Sequence, residues 1–93
     1  MTSSRQLIDR ANITYRQLDH WCHAGILHPI GDTGSGYQRE FTPAEVEIAG
    51  IMSVLVRAGL QPKAARAWAE DIRALGRVHV GEFVLTHKEE VAT

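Results

Sequence analysis

Asn12-Ile13-Thr14-Tyr15-Arg16-Gln17-Leu18-Asp19-His20-Trp21-Cys22-His23-Ala24-Gly25 is the stretch on which the fold turns. Thr14 is a good N-cap, because a threonine hydroxyl can accept from a backbone N–H of the first helical turn. Leu18, Trp21 and Cys22 then share one helical face, and Gly25 stands where a helix end wants a left-handed residue. Just upstream, Leu7, Ile8 and Ala11 recur at helical spacing, which predicts a helix from Ser4 to Ala11. Only Asn12, Ile13 and Thr14 separate the two segments. Two short helices joined this tightly have the spacing of a helix-turn-helix.

Downstream, Ile26 to Pro29 reads as a short extended piece and Tyr37 to Phe41 as another. Between them, Ile30-Gly31-Asp32-Thr33-Gly34-Ser35-Gly36 has three glycines and no strong helix former, as in a hairpin tip. The pair predicts a wing. Thr42-Pro43-Ala44-Glu45 is the strongest helix start in the chain: an N-cap threonine, proline at the first helical position, and a glutamate placed to reach back to the cap. The third helix should run to Arg57 or Ala58, with Ile48, Ile51, Met52 and Leu55 forming the centre of the core. A fourth is expected from Pro62 to Leu75, closed by Gly76, with Ala65, Trp68, Ile72 and Leu75 facing inward and Arg66, Glu70 and Arg73 facing out. Val78 to Thr86 is β-type, either one bent strand or a hairpin turning at Gly81-Glu82. The expected class is therefore mainly α with a small β wing: a winged helix-turn-helix of four helices over residues 1–76, then a short C-terminal strand or hairpin in a β-type tail over residues 77–93.

The chain has 93 residues, of which 44% are hydrophobic and 23% charged, so it holds one small globular domain. No apolar run approaches the ~18 residues that span a bilayer, and the start of the chain lacks a signal peptide. A soluble, cytoplasmic protein with no membrane partner is expected. Cys22 is the single cysteine, which excludes an internal disulfide and a multi-cysteine zinc site. His20 and His23 could share a face, but Cys22 points elsewhere, so no metal and no cofactor is expected. No serine, histidine and acid arrangement, phosphate-binding glycine loop or convergent carboxylate pair is visible, and the chain does not read as an enzyme. Net charge is −1, so a polyanionic partner must be argued from local placement. Eight of the ten basic residues are arginine, the better fork for bases and phosphates.

Residues Ile13 to Pro29 resemble the second-helix signature of MerR-type DNA-binding domains: a small capping residue, an early arginine, a leucine, an aromatic region, then Gly25-Ile26-Leu27-His28-Pro29 in place of Gly-Leu-Leu-x-Pro. Gly34-Ser35-Gly36-Tyr37-Gln38-Arg39-Glu40-Phe41-Thr42 is similar to the wing and following helix start of that family, and Gly59-Leu60-Gln61-Pro62 falls where its last two helices turn. The resemblance covers residues 5–75 and implies a double-stranded DNA partner.

A recognition helix enters the major groove with its N-terminal end leading, so Thr14, Tyr15, Arg16 and Gln17 are the side chains placed to reach bases or nearby phosphates, and His20 joins this set. Arg16 can donate two parallel hydrogen bonds to guanine O6 and N7; Gln17 can pair with adenine N6 and N7. In the wing, Ser35 and Gly36, with Gly34, would let main-chain N–H groups approach phosphate, and Arg39 would supply charge. Tyr37 has two readings, against a sugar or over the core. Lys63 and Arg66 are placed to touch flanking phosphate, though a solvated helix face explains them as well.

Members of the family usually continue into a long dimerising helix and an effector module, whereas this sequence ends at Thr93. On that ground the expected role is an accessory or architectural factor, similar to the small phage excisionases that bend DNA and direct recombination. That role would make cooperatively bound copies of the chain, and an integrase, its partners. The alternatives are a small MerR-like transcription regulator and, in another class, a protein-interaction adaptor using residues near Phe83 to Leu85.

Overall fold

The computed structural model describes residues 2–30, 39–80 and 83–86, with 77–80 and 83–86 described by their backbone. The expected wing tip, with Gly34, Ser35, Gly36 and Tyr37, and the expected turn at Gly81-Glu82 lie outside the described residues. In chain order the elements are β1 (Thr2–Ser3), α1 (Ser4–Ala11), α2 (Tyr15–His23), β2 (Glu40–Phe41), α3 (Pro43–Arg57), α4 (Pro62–Leu75), β3 (Arg77–Val80) and β4 (Phe83–Thr86).

Capping chemistry sets the helix starts. Ser3 and Gln6 at α1, and Thr14 and Gln17 at α2, form reciprocal capping boxes in which each side-chain oxygen accepts from the other residue's backbone N–H. Thr42 caps α3 by accepting from the Glu45 N–H at 3.2 Å, with Pro43 at the first helical position. The helix ends are equally local. After α2 the Gly25 and Ile26 N–H groups donate back to the Cys22 and Trp21 carbonyls, and Gly25 has φ 74°, the Schellman arrangement. The α1–α2 turn is closed by Asn12, a non-glycine residue at φ 58°. Its backbone N–H donates to the Ile8 carbonyl.

The core gathers Leu7 and Ala11 from α1, Leu18 and Trp21 from α2, and Ile48, Ala49, Met52 and Leu55 from α3, with Ala65, Ala69 and Ile72 from α4, Phe41 from β2, and Ile13 and Leu27 from the connections. Each large aliphatic or aromatic side chain so placed contributes about 1.5–3 kcal/mol of transfer free energy. Helix α3 packs against both α1 and α4, which makes it the central element. Two expectations are corrected on α4. Leu75 is 70% exposed and Trp68 only partly buried, and the inward stripe is Ala65, Ala69 and Ile72. Small residues take that stripe because they let α4 lie close on α3.

The strand pairing also differs from the expectation. β2 does not pair in a ladder with residues 26–29; it pairs antiparallel with β1, Thr2 opposite Phe41 and Ser3 opposite Glu40. The outgoing arm touches the returning one through the Ile30 N–H, which donates to the Glu40 carbonyl at 2.7 Å. Pro29 lacks an N–H, so the arm ending there is a poor ladder partner. β3 and β4 pair antiparallel with Val78 opposite Leu85 and His79 opposite Val84.

Candidate nucleic-acid interface

Burial of Leu18 and Trp21 fixes which face of α2 turns inward, so the leading turn is presented outward. Thr14, Arg16 and His20 are exposed, and Tyr15 and Gln17 are half-buried. Arg16 makes no hydrogen bond or ion pair with any described residue, and its guanidinium is open to an incoming partner.

Thr14 and Gln17 are already engaged with each other. The Thr14 Oγ1 accepts from the Gln17 N–H at 3.0 Å, and the Gln17 Oε1 accepts from the Thr14 N–H at 3.0 Å. Reading adenine bidentately needs the Gln17 Oε1 as acceptor for the base's exocyclic amine. Gln17 would have to surrender its half of the cap to do so. The cap at Thr14 is the one its sequence predicts; the spacing Thr14-x-x-Gln17 also carries the reciprocal bond from Gln17, which the groove assignment of Gln17 passes over.

Arg39 is the main correction among the expected site residues. Its side chain is 5% exposed, and its Nη2 donates to the Asp19 Oδ1 at 3.1 Å. The reason is the two-residue alternation of extended chain, which turns Arg39 and Phe41 inward while Glu40 faces out. Arg39 is thus not held on the surface as a free phosphate contact. Its Nη1 is buried without a hydrogen-bond partner. Asp19 also stands 3.4 Å from the Nδ1 of His23, whose ring nitrogen lies 2.9 Å from the Asp19 carbonyl oxygen. Cys22, half-buried beside this group, has its thiol pushed up by burial, partly opposed by the positive charge of Arg39.

Arg66 departs in the same direction. It was placed on an outward face, yet its guanidinium is 14% exposed and meets Glu45 through two hydrogen bonds of 2.8 Å. It further donates to the Ile26 carbonyl at 2.9 Å and to Glu70 at 3.1 Å. The Glu45 carboxylate, expected to fold back on the Thr42 cap, instead accepts from Arg66 and from the His28 N–H at 3.1 Å. Burial pushes the Glu45 carboxyl up, but the Arg66 and His28 hydrogen bonds and the Arg66 charge outweigh it and hold the group below its ordinary value. The Glu45 bonds correspondingly raise Arg66. This cluster clamps the segment after α2 onto α3 and α4.

Arg73 pairs with Glu47 at 2.9 Å, and Arg57 donates to the Ser53 carbonyl and hydroxyl. Arg5, Arg10, Arg16 and Lys63 are exposed and have no hydrogen bond or ion pair to a described residue. Lys63 opens α4, separate in sequence from the α2 turn. Among the described residues no group of three or more His, Cys, Asp and Glu could hold a metal ion, and no helix is long and apolar enough to cross a membrane.

A family model described as MerR HTH family regulatory protein matches residues 2–72. No curated protein matches the chain.

Proposed function

The chain belongs to the MerR HTH family of regulatory proteins, a DNA-binding family, and from that premise we propose that it binds double-stranded DNA in a sequence-selective way to regulate transcription. The observation that carries the reading is the outward leading turn of α2, with Arg16 exposed and uncommitted. Arg16 is the base-reading residue, donating two parallel hydrogen bonds to a guanine edge in the major groove. Tyr15 and His20 flank it, and Thr14 and Gln17 hold the helix start. Lys63 supplies a phosphate contact from the start of α4. Ser35, Gly36 and Tyr37 remain candidates for the backbone beside the groove.

An excisionase-like architectural role, with an integrase and cooperatively bound copies as partners, gains nothing from the fold or from the family match. Regulation is the reading carried forward. It is tested by selecting duplexes from a random-sequence pool and measuring gel shifts on the enriched site. Arg16→Ala is expected to cost about 1–3 kcal/mol on that site and to relax selection at one position. Lys63→Ala is expected to weaken all sequences alike and to reduce the salt slope by about one. Equal, small effects of both would overturn the assignment, and failure to enrich any sequence would overturn the function.

A further inference from the structure

We propose that the Arg39–Asp19 ion pair is a strut that fixes the angle of α2 against the returning arm of the wing, making both residues positioning residues for base selection rather than DNA contacts. The inference rests on the DNA-binding reading above and deepens it.

The arm at Arg39 is itself held in place. Its carbonyl accepts from the Ser4 hydroxyl at 3.4 Å, Glu40 accepts from the Ile30 N–H at 2.7 Å, and Ser3 and Thr2 pair with Glu40 and Phe41. Helix α2 is anchored less directionally. Its fully buried side chains are Leu18 and Trp21, whose burial sets the inward face, but apolar contact is non-directional and defines the exact angle less sharply than a hydrogen bond does. A charged hydrogen bond has a preferred distance and direction. The Arg39 Nη2 to Asp19 Oδ1 bond is a polar side-chain link between α2 and this arm. Asp19 lies one turn beyond Arg16, so a rotation at Asp19 moves Arg16 across the groove edge. A bidentate base contact tolerates a displacement of only about 0.5 Å or 10–20°.

The burial of Arg39 supports the same reading. A guanidinium with one carboxylate partner and an orphaned Nη1 contributes little net stability, because an apolar side chain of similar volume commonly does as well in such a position. What the charge adds is a defined orientation.

The test uses the full chain, a duplex enriched from a random pool by the wild type, and a scrambled duplex. Arg39→Met is expected to leave the unfolding midpoint unchanged or raised, and to lower the preference for enriched over scrambled duplex at least tenfold. The slope of affinity against salt should stay the same, since no phosphate contact is lost. Asp19→Asn should reproduce the lost preference, and the double variant should be no worse than the poorer single variant. A slope reduced by about one in Arg39→Met would instead make Arg39 a direct phosphate contact and overturn the strut. So would unchanged preference in both variants. Should Arg39→Met fail to fold, Asp19→Asn decides by the same two readouts. If the wild type enriches no duplex, DNA binding falls and the strut with it; if the wild type selects a site and the variants select it equally, the strut alone falls.

Discussion

Arg39, Arg66 and Glu45 show what a single residue's chemistry leaves open. A charged side chain in a sequence reads as surface, because burial without a partner is costly, and the partners here come from far along the chain: Asp19 for Arg39 and Glu45 for Arg66. Nothing local announces them. Gln17 is the opposite case, since its partner Thr14 lies three residues away and the capping pattern was present to be read. Thr14→Ala should therefore lower stability by about 1 kcal/mol, measured by urea unfolding, while Arg16→Ala leaves the midpoint nearly unchanged. A Thr14 variant as stable as the wild type would mean that the capping box contributes nothing.

Among the elements, the four helices were legible because their starts and ends are written in short-range signals: Thr14, Thr42-Pro43, Pro62, Gly25 and Gly76. The sheet was not. Thr2 and Ser3 are too short a run to suggest a strand, and only the tertiary placement of α1 brings them beside Glu40 and Phe41. The inward face of α4 was misjudged for a related reason. Ala65 and Ile72 face inward as the spacing predicts, but apolar size favours Trp68 and Leu75, whereas the closeness of α3 selects Ala69. Ala69→Leu is accordingly expected to cost about 1–3 kcal/mol by overpacking, and Leu75→Lys to stay within about 0.5 kcal/mol, both by thermal unfolding. The reverse ranking would mean that α4 packs through its larger side chains.

At the level of the whole molecule, the Glu45 cluster joins the segment after α2 to α3 and α4. The carboxyl is held lower in the folded chain than in the unfolded one, so its contribution is complete above the unfolded value and is lost as pH falls through the folded one. Urea midpoints of the wild type should fall as pH drops below the ordinary carboxylate range, and Glu45→Gln should flatten that limb. At neutral pH the same variant should be less stable, by at most about 3 kcal/mol, because Arg66 loses its buried carboxylate partner and keeps only the exposed Glu70. An unchanged acid limb in Glu45→Gln would assign the pH dependence to other carboxylates.

The left-handed Asn12 between α1 and α2 limits which substitutions a lineage can accept at that position. Glycine takes the conformation freely and aspartate tolerates it, whereas a β-branched side chain would incur about 1–2 kcal/mol of steric penalty. Evolutionary drift at position 12 is thus narrowed by backbone geometry before any selection for DNA sequence acts on its neighbours.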